Sequence, residues 1–347
     1  MAKVVVAMSG GVDSSVSALL LRQKRYDVIG LTFRMGRRCD EQSIKDATFV
    51  AKQLSIKHDV LDVSEAFGGN VIDYFVETYR IGQTPNPCAK CNKLVKFKSL
   101  MDYGRALGAD YVASGHYARI IKYDTADEDG LGTYSLCKAK NLEKDQSYFL
   151  STLDYEYLKF IKFPLGNFSS KAEVRKIAKM NNLVVADKGD SQDVCFIDGT
   201  CNDYLKDKIG LVSGGYIKHV NGKILGRHNG IFNYTIGQRK GLGVSYGEPL
   251  FVVKIDSIAN TIYVGSNNDL YSDKVYLYNF NRLSRIERAK EYFVKLRSTH
   301  SGQVGFVESI DENNIVLKLQ KPARAVTKGQ LCCLYDGDIV VGSGWIG

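Results

Sequence analysis

Two groups of residues in this chain have types and spacings suited to chemistry. The first is the turn Ser9-Gly10-Gly11-Val12-Asp13-Ser14-Ser15, which follows an apolar run over residues 3–8. A strand, a glycine-rich turn and a helix N-terminus together make an anion site, because backbone N–H groups point into the turn and the helix dipole adds to them. Gly10 and Gly11 let the backbone approach a phosphate closely, and Ser9, Ser14 and Ser15 add hydroxyl donors. The Walker pattern G-x-x-x-x-G-K-[ST] is absent, so this loop lacks a lysine of its own. Ser-Gly-Gly alone reads as an ordinary tight turn, whereas the full stretch behind an apolar strand reads as a phosphate cradle. The second group is sulfur: Cys88-x-x-Cys91 and, far downstream, Cys195. By residue type alone Cys195, between Val194 and Phe196, reads as a small buried hydrophobe. The C-x-x-C spacing is half of a zinc or iron–sulfur site, but no second C-x-x-C exists and the five histidines (58, 116, 219, 228, 300) supply no evident pair.

Hydrophobic patterning predicts the elements that hold these groups. Residues 3–8, 27–33, 59–63 and 110–114 are apolar runs of the kind covered on both faces of a parallel sheet. Between them, residues 14–25, 44–54 and 94–107 have helical periodicity, as does the segment carrying Val71, Tyr74, Phe75, Thr78 and Tyr79. Strands alternating with helices imply βαβ units. Ser170-Lys171-Ala172-Glu173 is a capping box opening a helix, and residues 183–186 read as a last strand. Beyond Asp198 glycine becomes frequent and short alternating runs dominate, as at residues 315–319, with Asp336-Gly337-Asp338 as a hairpin turn. That texture predicts a small barrel or sandwich. Residues 124–132 read as an exposed loop.

At 347 residues the chain exceeds one ordinary domain, and its 44% hydrophobic and 24% charged content is that of a soluble globular protein. No run of eighteen apolar residues predicts a membrane span, and the first residues lack a signal or transit pattern, so a cytoplasmic, bacterial-type location without membrane partners is expected. In that setting the eight cysteines read as thiols or ligands before disulfides. The formal charge of +9 suits a polyanion such as RNA and equally suits plain solubility.

Ser9–Ser15 written as S-G-G-V-D-S-S resembles the PP-loop of the ATP pyrophosphatases, which split ATP between the α and β phosphates. Six further stretches narrow the resemblance. They are Thr84-Pro85-Asn86-Pro87-Cys88-Ala89-Lys90-Cys91-Asn92; Gly115-His116-Tyr117-Ala118; Lys144 through Leu150; Asp193-Val194-Cys195-Phe196-Ile197; Tyr234 through Gly243; and Ala323-Arg324-Ala325-Val326 through Gly344-Trp345-Ile346. In this order, from the first strand to the last residues, they resemble the tRNA-uridine 2-sulfurtransferases (MnmA family). The resemblance implies an α/β PP-loop domain over residues 1–200, a β-rich central domain over 201–270 and a C-terminal β-barrel over 271–347. It implies ATP-dependent 2-thiolation of the tRNA wobble uridine: adenylation turns the C2 oxygen into a good leaving group, then sulfur from a cysteine persulfide displaces AMP.

By the same resemblance, ATP lies on Ala7, Met8, Ser9, Gly10, Gly11, Val12, Asp13 and Ser14, with Phe33 and Gly115 at the nucleotide and Asp13 helping to hold Mg²⁺ or the nucleotide. Cys195 carries the persulfide and Cys91 is the second thiol, with Lys90 and Lys93 expected to favour its thiolate. Asn86, Pro87 and Cys88 match the contact to the target base; Lys144, Asp145 and Gln146 match a tRNA-binding triplet; Arg297 and Ser298 match an Arg-Tyr pair that here lacks its tyrosine. The implied partners are tRNA and a sulfur donor, either a carrier protein or a cysteine desulfurase, and the chain is expected to be a monomer. Cys88 is a departure, since many members carry Asp there. It raises an Fe–S cluster on Cys88, Cys91 and Cys195 as a hypothesis beside the cluster-free persulfide route. Two rival readings are a PP-loop ligase acting on a small molecule, and a tRNA-binding protein without catalysis.

Overall fold

Val4, Val5 and Val6 are fully excluded from solvent, and the strand they form is the middle strand of a parallel sheet. The computed structural model describes residues 1–36, 40–123, 131–189, 194–210 and 213–347. Strand β1 (Lys3–Ala7) leads through the serine-glycine loop into helix α1 (Val12–Gln23). Strand β2 (Asp27–Arg34), helix α2 (Asp40–Gln53) and strand β3 (Lys57–Asp62) follow, and β4 (Tyr111–Ser114) comes after a long helical segment. These strands, with a short fifth one at Ile161–Lys162, form an all-parallel sheet in the order β3-β2-β1-β4-(161–162). The chain runs to one side of β1 for β2 and returns to the other for β4. That reversal opens a crevice at the carboxyl ends of β1 and β4, the usual ligand position in such sheets.

The run at residues 183–186 is not a strand. Leu183 and Val185 are each 3% exposed, but they plug the core beneath the helix Lys171–Met180 from within a turn. Burial alone gave the apolar signal, and the sheet edge belongs to Ile161–Lys162 instead. Residues 124–130, within the expected exposed loop, and Cys39 and Asp193 lie outside the described residues.

Further along, the strands Phe251–Asp256, Thr261–Gly265, Gly215–His219 and Ile224–His228 form a four-stranded sheet over a core of Ile217, Val252, Ile262 and Val264. The remaining six strands form an antiparallel barrel, closed where Tyr271–Arg282 pairs with both Asn314–Arg324 and Ile339–Ile346. Gly337, at φ +58°, turns the hairpin between Leu331–Asp336 and Ile339–Ile346 as its sequence predicts. The hairpin of Arg119–Lys122 and Tyr134–Cys137, which belongs to the front of the chain, extends the barrel sheet through Ile339 and Cys137. Leu331, Cys333, Tyr335 and Val340 bury their side chains in the same core as Phe67, Val95 and Tyr148, while Cys332 faces the barrel interior. Barrel and parallel sheet are thus packed as one body on this side.

Candidate active site

The serine-glycine loop lies in the crevice between β1 and β4. Gly10 has φ +67°, and a Cβ there would stand 2.4 Å from the Ser43 carbonyl oxygen of α2, so only glycine fits. The Ser9 amide donates to Ser14 Oγ at 3.1 Å, and Ser15 Oγ donates back to the Gly11 carbonyl at 2.8 Å. Across the crevice Gly115, just beyond β4, is pressed against the first turn of α1; a Cβ there would fall 2.7 Å from the Ser14 nitrogen. Ala7 ends β1, and Met8 and Val12 are buried beneath the loop. Phe33 puts its ring into the core, leaving its main chain at the end of β2. Thr32 Oγ1 donates to the Met8 carbonyl at 2.8 Å and ties β2 to the loop.

The cations missing from the loop arrive from far along the chain. Lys171 Nζ, from the first turn of the helix Lys171–Met180, meets Asp13 Oδ2 at 2.5 Å, and Tyr117 Oη donates to Asp13 Oδ1 at 2.8 Å. Lys188 Nζ donates to the Gly10 carbonyl at 2.9 Å and pairs with Asp46 at 2.6 Å. Three groups to which the sequence assigned no role at the cradle, Tyr117, Lys171 and Lys188, therefore surround it. Lys171 was visible only as a residue of a capping box. A clue was the loop itself, which needs positive charge from somewhere if it holds phosphates. Beside Gly115, His116 is packed between Phe97 and Phe163 and bonded to Ser114 Oγ at 2.8 Å. Burial, helped by the Lys96 cation, pushes its pKa down to about 3, so the ring is neutral at working pH.

The second centre is the helix Pro87–Cys91, which continues through a π-helical stretch, Asn92–Phe97, into Lys98–Ala106. Asn86 caps it, with Oδ1 accepting from the Ala89 amide at 3.2 Å, and Pro87 supplies a first-turn residue that needs no N–H partner. Asn86 is 6% exposed and its Nδ2 donates to Tyr148 Oη, which donates on to the Leu331 carbonyl of the barrel at 2.7 Å. Gln330 Nε2 donates to the carbonyls of Thr84 and Pro85, so the barrel fixes the approach to the helix. On this helix Cys88 is exposed and Cys91 is buried, at 5% exposure.

Cys195 is also exposed. Its neighbour Phe196 is seated edge-on against Phe67 and Phe75, with centroids 5.8 and 5.2 Å apart, and so docks the Cys195 segment against the core that buries Cys91. The Cys88 sulfur reaches solvent but is closely ringed by protein. Desolvation pushes its thiol pKa up, the Lys96 cation pulls it down, and the neighbouring Cys195 pushes it up again. Lys90 and Lys93 both have partners away from the thiols. Lys90 lies over Trp345 and Tyr74, at 4.8 and 5.2 Å, and Lys93 pairs with Asp154 at 2.8 Å. Lys96, half-buried in the π-helical stretch, bears on Cys88. Among the described residues no three Cys, His, Asp or Glu side chains gather to hold a metal, so the geometry gives the Fe–S hypothesis on Cys88, Cys91 and Cys195 no ligand set.

The residues expected to meet tRNA divide in two. Lys144 and Arg297 are exposed, and Ser298 is half-buried. Asp145 and Gln146 are turned inward. The Asp145 carboxylate accepts from the Ala139 amide at 2.8 Å and Ser147 Oγ at 2.7 Å, and burial pushes its pKa up. Gln146 Oε1 accepts from the Tyr117 amide at 2.9 Å, which links this segment to the tyrosine that holds Asp13.

Three family models match in chain order: a tRNA methyl transferase HUP domain over residues 2–199, a tRNA methyl transferase PRC-barrel domain over 202–266, and an aminomethyltransferase beta-barrel domain over 272–346. The tRNA-specific 2-thiouridylase MnmA of Lachnoclostridium phytofermentans is 40% identical over 363 residues, covering 100% of this chain and 99% of that protein. Those of Ehrlichia canis and Rickettsia felis are 42% and 43% identical, each over 99% of this chain and over 94% and 96% of their own lengths. A likeness this strong along the whole chain has one consequence: the chain belongs to the MnmA family of tRNA-specific 2-thiouridylases.

Proposed function

We propose that the chain thiolates C2 of the tRNA wobble uridine, using ATP to activate the C2 oxygen and a persulfide on Cys195 to deliver sulfur. The observation that carries this reading is the pairing of a glycine-built anion cradle with an exposed cysteine docked beside a C-x-x-C helix. The site's donors fit ATP: the loop amides, the Ser9 and Ser14 hydroxyls and two lysines offer positive charge where only glycine backbone leaves room for phosphates. ATP supplies the adenylyl group that makes the C2 oxygen a leaving group, with Mg²⁺ neutralising phosphate charge.

Within that reading Lys171 and Lys188 hold the charge that develops on departing pyrophosphate. Asp13 is the loop's only carboxylate, oriented by Tyr117 and Lys171 toward the cation-rich side of the cradle. Lys144 and Arg297 contact RNA phosphates, and Cys88 stands at the target base with Asn86 and Pro87 shaping the turn that presents it. Asp145 and Gln146 act by fixing that wall rather than by touching RNA. Cys91 takes part as the second thiol. The sulfur comes from a persulfide-bearing partner, a cysteine desulfurase or a sulfur carrier.

The test is direct. The protein is incubated with unmodified tRNA, ATP, Mg²⁺ and a persulfide donor, and the digested RNA is searched for 2-thiouridine. Thiolation is expected in the complete mixture and lost in Cys195→Ser and Asp13→Ala. Turnover of ATP without RNA, unaffected by Cys195→Ser, would instead point to a small-molecule ligase.

A further inference from the structure

Cys88 and Cys91 stand one helical turn apart, the first open to solvent and the second buried. That asymmetry matters because the exposed Cys195 is docked against the core that buries Cys91 and is electrostatically coupled to Cys88. A buried thiol is a poor first partner for the docked Cys195, while the exposed Cys88 can be reached; desolvation raises the Cys88 thiol pKa, and the Lys96 cation works against that rise. Resting on the sulfur-insertion reading above, we propose that Cys88-x-x-Cys91 is a dithiol relay: Cys88 is the thiol that attacks Cys195, and Cys91 then releases Cys195 by closing a disulfide with Cys88.

The terminal sulfur of the Cys195 persulfide bonds to C2, the C2–O bond breaks, and AMP leaves with the electron pair. The Cys88 thiolate attacks Cys195 Sγ, forming a Cys88–Cys195 bond; the bond from Cys195 Sγ to the transferred sulfur breaks, and that sulfur keeps the pair as the thiocarbonyl of 2-thiouridine. The Cys91 thiolate then attacks Cys88 Sγ, forming Cys88–Cys91 and expelling Cys195 as a thiolate. The two electrons that reduce the transferred sulfur thus come from the helix dithiol. A small-molecule or protein dithiol returns them by exchange, becoming a disulfide itself. The benefit of two helix thiols over one is that Cys195 returns free and ready for the next sulfur while the oxidation is parked in the helix.

Lys96 fits this scheme as a positioning residue. It is half-buried, it acts on Cys88, and no carboxylate among the described residues pairs with it. Its charge favours the Cys88 thiolate that begins the relay.

The experiment has an RNA-free arm and an RNA arm, both with the full-length chain. In the first, Cys195 is loaded with inorganic polysulfide, excess is removed, hydrosulfide release is followed, and disulfides are mapped by mass spectrometry after acid quench. Without RNA the same attack of Cys88 on Cys195 Sγ expels hydrosulfide. Wild type should release it and end as Cys88–Cys91. Cys91→Ser and Cys91→Ala should stop at Cys88–Cys195; two variants are used because this position is buried. Cys88→Ser, an exposed change that leaves the core intact, should release hydrosulfide at least 10-fold more slowly. A Cys91–Cys195 bond in wild type, or wild-type release from Cys88→Ser, overturns the relay. In the second arm, ATP, Mg²⁺ and excess unmodified tRNA are bound first and one equivalent of polysulfide is then added, so that the persulfide forms with RNA in place for one turnover. Thiolation in wild type with at least a 10-fold loss in Cys88→Ser supports the relay, and an undiminished yield in Cys88→Ser overturns it. Absence of 2-thiouridine from wild type whose RNA-free relay runs normally would remove the sulfur-insertion reading and leave the dithiol chemistry standing.

Discussion

Replacing Gly115 by alanine tests whether the two walls of the crevice must touch. The added Cβ would lie 2.7 Å from the Ser14 nitrogen and 2.8 Å from the Asp13 carbonyl carbon, where ordinary contact begins at 3.4 Å. Both neighbours are main chain, so no side chain rotates away, and β4 or the first turn of α1 must yield by about 0.7 Å. Overpacking of this kind costs about 1–3 kcal/mol. In a region of this size that lowers the melting temperature by about 2–12 °C. The larger effect falls on the reaction. A displacement approaching 1 Å at a reacting centre costs up to about 100-fold, so kcat/KM for ATP should fall by about 10–100-fold, or about 1.4–2.7 kcal/mol of transition-state stabilisation. The assay is pyrophosphate release with saturating tRNA, run beside a melting curve. Gly69→Ala serves as the control, since nothing stands within 4 Å of its added Cβ. A Gly115→Ala protein that folds cooperatively and keeps wild-type kcat/KM for ATP would refute the claim that this close approach builds the nucleotide site.

Other consequences can be measured separately. Lys171→Met removes a charge-assisted bond to Asp13 and should raise KM for ATP about 10-fold or more, as measured by steady-state kinetics. Lys144→Ala should weaken tRNA binding and reduce the salt slope, log Kd against log salt, by about 0.7 if the contact is to a single strand. Lys96→Met should move the pH midpoint of Cys88 alkylation upward, because the cation that favours the thiolate is gone; a Cys91→Ala, Cys195→Ser background isolates the signal. His116 binds its proton only near pH 3 when folded but near 6.5 when unfolded, so the unfolded state takes up one more proton between those values. Its contribution to stability is therefore lost as pH falls below 6.5, at up to about 1.4 kcal/mol per unit, and His116→Gln should flatten that part of the melting-temperature profile.

Much of the fold was legible because burial on both sides of a parallel sheet leaves continuous apolar runs, as at Val4, Val5 and Val6. The same logic misread residues 183–186, since a buried turn and a buried strand exclude water equally and differ only in what their backbones pair with. The cradle was legible because its residues are contiguous. Its cations were not, because Lys171 and Lys188 meet it from 158 and 178 residues downstream, and nothing local marks a surface lysine that folds back onto a loop. At the thiols the sequence showed three sulfurs but not their order of access. Two cysteines three apart look equivalent on paper, and only burial in the core that also holds Val95 and Phe97 makes Cys91 the inner one. The lysines adjacent to Cys91 in sequence are drawn off by Trp345 and Asp154, which come from remote segments.

The grip of the barrel on the Thr84–Pro85 carbonyls and on Tyr148 sets a schedule for biosynthesis. A ribosome adds roughly 5–20 residues per second, so tens of seconds separate the emergence of the C-x-x-C helix from that of Gln330 and the strand that follows it. Until that strand arrives, the core beneath the helix lacks Leu331, Cys333 and Tyr335 and cannot close. The nascent chain therefore acquires an ordered sulfur centre only after the strand that begins at Leu331 has emerged, and a product truncated before it would carry the cysteines without the architecture that directs them.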